Sequence, residues 1–428
     1  MVIGQMRQEK ATTNRRNAIK SIAAFTAGAT LFAPAVAKAS IFGQFAQQRV
    51  LRDTDREANS IFAMRAIGTT DPIISLDTEY NLQRVAEYYE RLVNIGGWPE
   101  VPTGVFGLVL GNSRSAVRDL RRYLMHTGDL SQEAEMSELF DADVDVAVRG
   151  FQARHGLQIS GKVDEYTYWA MTVPASTRLH QINLNLQRVR GLEGRLTDRY
   201  VNVNIPAAAI EAVESRQVVQ RHTAVVGRID RQTPILQSRI HEINFNPYWT
   251  APTSIVRRDI IPMVRDNPNY LNEYGIRILD GRGNQISQDS INWNTEEAAN
   301  YTFRQDPGEN NAMGHAKINF HNPHTVYLHD TPQRGFFSEN ARFHSSGCVR
   351  VADVDSFIAW VLRDNGYDLG AVTEAFVSRE RRDVAVNSPV PIFTTYFTAW
   401  ANRNGVVSFR DDVYDFDSEG RTEFPEIS

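Results

Sequence analysis

Cysteine is almost missing from this sequence: 428 residues contain a single one, Cys348. An internal disulfide is therefore excluded, and the fold has to rest on a packed core. Three roles stay open for the lone thiol: an inert buried side chain, an intermolecular bridge, or a reactive nucleophile. A strong charge of one sign is also missing. The formal net charge is −5, which gives none of the basic character a nucleic-acid-binding face calls for. After the first forty residues no run approaches the ~18 apolar residues of a membrane-spanning helix. Internal repeats and low-complexity segments are absent too, and 42% hydrophobic with 23% charged residues is ordinary for globular domains.

The first forty residues belong to another category. Arg15, Arg16 and Lys20 precede a mild apolar run from Ser21 to Ala37, and Ala37-Lys38-Ala39 forms a small-x-small cleavage site before Ser40. Residues 1–39 read as a signal peptide, and the adjacent arginines resemble a twin-arginine signal, with Asn14 and Ala18 departing from the usual residues. An ordinary secretory signal holding two arginines is the alternative. With these residues set aside, 40 basic and 50 acidic side chains remain, a balance that does not favour anionic membrane surfaces.

Residues 40–112 read as a helical scaffold. In "NLQRVAEYYERLVNIGGWP", Leu82, Val85, Tyr89, Leu92 and Val93 recur at helical spacing before Gly96-Gly97 stops the helix. Residues 113–173 read as three short helices with a small core of their own, followed by a helical linker at 174–199. From residue 200 to 428 β-branched residues and partial alternation predict a mainly-β domain. The alternation lapses over about 257–313, which reads as an inserted cap of helix, turn and polar loop over an active site. It returns at "HAKINFHNPHTVYLHDTP", and "NRNG" near the end predicts a hairpin turn.

The chemistry points to "FHSSGCVRV", residues 343–351. Thiol catalysis needs a thiolate, a base and donors for an oxyanion. Gly347 clears space before Cys348 and permits a tight turn, and a helix beginning near Asp353 would lower the thiol pKa if its N-terminus met the sulfur. His329, at the end of an alternating strand and separated from Cys348 by eighteen residues, is the candidate base; taken alone it would read as a satisfied core histidine. His315, His321, His324 and His329 fall within fifteen positions, but no H-E-x-x-H or carboxylate spacing accompanies them, so a metal site is not expected. His344 reads as a loop residue, and Arg257-Arg258 as solvated surface.

The sequence H-D-T-P followed by S-S-G-C-V-R-V resembles the signature of the L,D-transpeptidase catalytic domain, the YkuD type. "GGWPEVP", "NPYWTAPTSIV", "PGENNAMGHAKINFHN" and "TTYFTAW" resemble its larger Gram-negative branch. The pattern on Ala147, Val148, Phe151, Gln152, Gly156, Leu157, Gly161, Val163, Asp164 and Thr167 resembles a peptidoglycan-binding domain, used in such families either to bind glycan or only as a scaffold. The fold implied is α+β: a mainly-β catalytic domain with an inserted cap, preceded by an α-helical scaffold containing the three-helix module. By this resemblance Cys348 is the nucleophile and His329 the base, oriented by a backbone carbonyl for which that of Asp330 is the candidate. The N–H groups of Gly347 and Cys348 would receive the oxyanion. Arg350 would fix the loop or a substrate carboxylate, and Tyr327 would hydrogen-bond in the site. Ser346 stands where the family has a second His, so a ring donor is lost. Trp249 and Pro252 either line the substrate cleft or pack where the insertion leaves the sheet.

The activity implied is cysteine acyl transfer on peptidoglycan stem peptides in the periplasm, giving 3→3 cross-links. No metal or organic cofactor is needed, and carbapenems would acylate the same thiol. Hydrolysis by the same cysteine, and a non-catalytic wall-binding protein, are the alternatives.

Overall fold

The computed structural model describes residues 69–192 and 194–422. The signal-peptide reading of 1–39 and the start of the helical scaffold, 40–68, lie outside the described residues. The first helix, α1 (Thr78–Asn94), buries Leu82, Val85, Tyr89 and Leu92. It ends as the glycine pair predicts: Gly97 N–H reaches back to Leu92 O at 2.8 Å, with φ of +103° and +77° at Gly96 and Gly97. Carbonyls left open by the last turn are satisfied there, in a conformation that costs a residue with a Cβ.

Three helices follow, α2 (Ala116–His126), α3 (Ala142–Arg154) and α4 (Glu165–Met171). Val117, Leu120, Tyr123, Leu124, Val144, Val148 and Phe151 close one core between them. Asp141 and Asp164 cap α3 and α4 by accepting from Val144 N–H and Thr167 N–H, each satisfying a backbone donor at a helix start. Gln152 is buried at the centre of this unit and bonds Lys162 O, Thr167 Oγ1 and Gly161 N–H. Helix α5 (Ala175–Arg190) then leads to the sheet.

The sheet uses strands β1 (Arg199–Asn204), β2 (Ala209–Glu214), β3 (Gln217–Gly227), β4 (Leu236–Phe245), β9 (Ala316–Phe320), β10 (Leu328–His329), β11 (Phe343–Ser345), β12 (Val349–Val351) and β13 (Arg382–Thr395). Their order is β11-β3-β12-β10-β9-β4-β13-β1-β2, and β2 pairs with β3 as well. β3 bonds β12 along one edge, while its other edge serves β2 and then β11, so the sheet closes on itself. Closure leaves fewer free edges for unwanted pairing. The largest core lies between this sheet and the helices α6 (Val354–Val361) and α7 (Leu369–Ser378).

The segment between β4 and β9 is the insertion, but it is not only helix and loop. A second antiparallel sheet runs in the order β5-β8-β6-β7, made of Trp249–Thr250, Thr302–Gln305, Ile276–Leu279 and Gln285–Ile286. Strands of two to four residues hold too few alternations to register as period two, which is why they escape a sequence reading. A helical stretch over 253–266 carries a π turn at Val256–Ile260. The NRNG turn joins β14 (Ala399–Ala401) to β15 (Val407–Phe409), a separate hairpin beyond the long strand β13.

Arg154 of α3 ties the three-helix unit to the rest. Its guanidinium meets Asp129 at 2.6 and 2.7 Å and bonds Val407 O, with both side chains of the ion pair below a tenth exposed. Removing one partner of such a pair strands a buried charge. Asp129→Ala is therefore expected to cost about 3–5 kcal/mol, read as a lowered urea midpoint at unchanged slope.

Candidate active site

Strands β10 and β12 run parallel with Leu328 beside Val349 and His329 beside Arg350. Val349 N–H donates to Tyr327 O at 3.1 Å. Leu328 and Val349 enter the large core, so their neighbours Tyr327, His329 and Arg350 project on the other face. Cys348 stands at the entry to β12, opposite Tyr327. Thus two short segments, far apart in sequence, deliver the thiol, the imidazole, the phenol and a guanidinium to one place.

Gly347 adopts φ of +113°. A Cβ there would meet only ordinary contacts, Gln232 O at 3.5 Å and Val326 Cγ1 at 3.7 Å, so it is the backbone conformation that reserves the position for glycine. The turn is held from several sides. Ser345 Oγ donates to Cys348 O at 2.5 Å and accepts Gly347 N–H at 3.2 Å. Thr233 Oγ1 donates to Gly347 O at 2.8 Å. Gly347 N–H is thus engaged with Ser345 Oγ within the turn. Cys348 N–H meets no acceptor among the described residues and remains available.

His329 is buried, with Nδ1 2.6 Å from Asp330 O. A carbonyl only accepts, so Nδ1 carries the proton and Nε2 keeps its lone pair. Burial, with Arg350 and Lys317 adding repulsion, pushes the imidazole pKa down to about 3. His329 is therefore neutral at physiological pH. Burial likewise raises the Cys348 thiol, against hydrogen bonds from Tyr327 and the charges of Lys317 and Arg350. Residues 349–353 separate Cys348 from the start of α6 at Val354. At rest the pair is a neutral thiol and a neutral imidazole.

The surrounding residues have separable tasks. The Asp330 carboxylate accepts His315 N–H at 2.9 Å and packs so tightly on Gly314 that a Cβ there would lie 2.3 Å from Oδ2. Arg350 donates to Gln333 Oε1 at 2.5 Å and lies over the Phe336 ring, so it fixes the loop after β10. Burial lowers its pKa to about 10. Tyr327 meets His329 edge-to-face at 5.7 Å, and its phenol interacts with Cys348 and Trp249. Trp249 is 6% exposed and backs Tyr327, whereas Pro252 is exposed and starts the 253–266 helix. His344 pairs with Glu339 at 2.8 Å.

Ser346 has a partner that the sequence did not disclose. Arg231 donates to Ser346 Oγ at 2.8 Å and grips Asp259 of the π turn at 2.6 and 3.1 Å. One guanidinium therefore connects the cysteine turn to the insertion. Beside it opens a polar cavity of about 230 Å³ lined by Asp230, Arg231, Gln232, Ser254, Arg258 and Ser346. Of the arginine pair, Arg257 meets Glu296 at 3.2 Å, while Arg258 borders this cavity. Arg231, Asp259, Thr233, Gln333 and Lys317 were not legible as site residues. Only Lys317 left a trace, by alternating with core residues in "HAKINF".

Comparisons with known proteins match two stretches of this chain. The model of the L,D-transpeptidase catalytic domain, YkuD, matches residues 198–392, and that described as "Putative peptidoglycan binding domain" matches residues 113–171. The chain accordingly contains a YkuD-type L,D-transpeptidase catalytic domain, and ahead of it a domain of the peptidoglycan-binding class. A curated relative from Haemophilus influenzae, "Putative L,D-transpeptidase", is 30% identical over 253 residues, covering 58% of this chain and 51% of the relative. The chain thus spans about half the length of that relative. Solved structures of L,D-transpeptidases from Stackebrandtia nassauensis (12% identity, 72% of this chain and 99% of that one, TM-score 0.26) and Mycobacterium smegmatis (14%, 46% and 58%, 0.23) are also similar.

A thiol pushed up by burial makes a direct expectation. Alkylation of Cys348 by iodoacetamide should rise through a midpoint above the ordinary thiol value of about 8.5, followed by intact mass against pH. A midpoint well below it would mean a resting thiolate–imidazolium pair instead.

Proposed function

We propose that this chain is an exported L,D-transpeptidase that forms 3→3 cross-links between peptidoglycan stem peptides through an acyl-enzyme on Cys348. The observation that carries the reading is a neutral His329, its Nε2 lone pair free, held on the strand beside the chain's sole thiol.

The chemistry follows from that pairing. The Cys348 thiol gives its proton to His329 Nε2 as the sulfur attacks the carbonyl of the diamino acid at position 3 of a tetrapeptide stem. Cys348 N–H receives the developing oxyanion, and Gly347 N–H can join by leaving Ser345 Oγ. The C–N bond to D-alanine breaks, the proton on His329 passes to the leaving amine, and a thioester remains. The side-chain amine of a second stem then attacks, its proton goes to His329, and the thiolate leaves to be reprotonated. Every step is a proton or acyl transfer, so no metal or organic cofactor takes part. The cavity beside Ser346, bordered by Arg258, suits a carboxylate of the stem.

The remaining assignments belong to the same reading. Residues 1–39 direct export to the periplasm by the twin-arginine route, residues 113–173 dock on the wall, and carbapenems acylate Cys348. Use of water as acceptor would make the same site a carboxypeptidase.

The test is intact-mass analysis of the mature chain mixed with disaccharide-tetrapeptide, with products separated in parallel. Expected are an adduct lacking D-alanine and cross-linked dimers, both abolished in Cys348→Ala. His329→Ala should lower the acylation rate by at least about 100-fold, the usual worth of a positioned general base. Adduct with tripeptide alone as product would assign hydrolysis. Sacculus binding in both wild type and Cys348→Ala, with no adduct from tetrapeptide or carbapenem, would leave a wall-binding protein.

A further inference from the structure

Lys317 enters the site from β9, in register with His329 across the antiparallel β9–β10 pair. Its neighbour Ile318 lies in the large core, so Lys317 takes the face that carries His329 and Tyr327. Its Nζ stands 4.5 Å from the centroid of the Tyr327 ring, and its stem is half-buried. The carboxylates nearest to it in the sheet are already engaged. Glu242 accepts from Asn244 and Asn319 at 2.9 Å each, and Asp383 from Asn244 at 2.9 Å and Arg381 at 2.5 Å.

Among the described residues no carboxylate forms an ion pair with Lys317, and an ammonium drawn partly out of water in this way is unfavourable unless negative charge appears nearby. The group in this face that becomes negative during acyl transfer is the sulfur of Cys348. A cation on the face of a phenol also draws electron density from its ring, which strengthens the hydroxyl as a hydrogen-bond donor. Tyr327 is that phenol: the β10–β12 register sets it opposite Cys348, with which its side chain interacts.

We propose that Lys317 is a positioning residue for Cys348: its ammonium, seated on the Tyr327 ring, stabilises negative charge on the sulfur partly through the Tyr327 hydroxyl. The charged and titratable groups around this path are Tyr327 and His329 from β10, Arg350 from β12, Glu242 from β4 and Asp383 from β13. Lys317 and Cys348 act on each other in the expected directions, the cation lowering the thiol against burial and the thiolate supporting the cation. Burial wins for both, so neither group is at its ordinary pKa. The proposal rests on Cys348 as nucleophile, but its test needs no peptide.

Because Cys348 is the sole cysteine, iodoacetamide uptake by the folded protein against pH reads this thiol alone. Lys317→Met is expected to move the midpoint up by about one unit, roughly tenfold less thiolate at a fixed pH below it. Lys317→Arg, which keeps the charge, should stay within about a third of a unit of wild type. In a Tyr327→Phe background the Lys317→Met shift should shrink to less than half. An unchanged midpoint in folded Lys317→Met overturns the proposal, and an undiminished shift in Tyr327→Phe overturns the route through the phenol. If Lys317→Met does not fold, Lys317→Gln against Lys317→Arg replaces it, and equal midpoints overturn the proposal. A missing shift here and a failure to turn over tetrapeptide are separate results.

Discussion

The parallel pairing of β10 with β12 is the constraint on which the site depends. Its register sets His329 beside Arg350 and leaves Cys348 opposite Tyr327. Parallel neighbours lie about 4.8 Å apart, so a one-residue slip would turn His329 into the core and Leu328 out of it. The burial of Leu328 and Val349, both nearly without exposure, forbids that slip. Apolar packing on one face therefore fixes polar geometry on the other.

The same face shows how electrostatics and burial oppose each other. Withdrawing His329 and Cys348 from water favours their neutral forms, and the cations Arg350 and Lys317 then act in opposite senses on the two. They further disfavour an imidazolium while favouring a thiolate. The result is a site whose thiol and imidazole both rest neutral. The Asp330 carbonyl holds the imidazole proton on Nδ1 and leaves Nε2 unprotonated.

The insertion is joined to this machinery by more than proximity. Arg231 holds Asp259 with one part of its guanidinium and Ser346 with another. The Ser346 hydroxyl accepts the hydrogen bond from Arg231. Trp249, at the start of the small sheet, backs Tyr327 in a similar way.

Local chemistry was written plainly in the sequence. The glycine stop of α1, the three helices of the small module, the alternation of β9 and the NRNG hairpin follow from periodicity and turn residues, because those signals act over a few positions. The HDTP and SSGCVRV motifs marked His329 and Cys348, and even the Asp330 carbonyl, because all of these act within one or two residues of their motif. The strands of the insertion were too short to show a period. Arg231, Asp259, Thr233 and Gln333 left no local sign, since each matters only through a contact made across the fold. The hydrogen bond from Gly347 N–H to Ser345 Oγ left no local sign either, since it depends on how the turn closes. Side-chain type and spacing decided which chemistry this chain holds; the closed sheet, by its register and burial, decided which groups meet and in which protonation state.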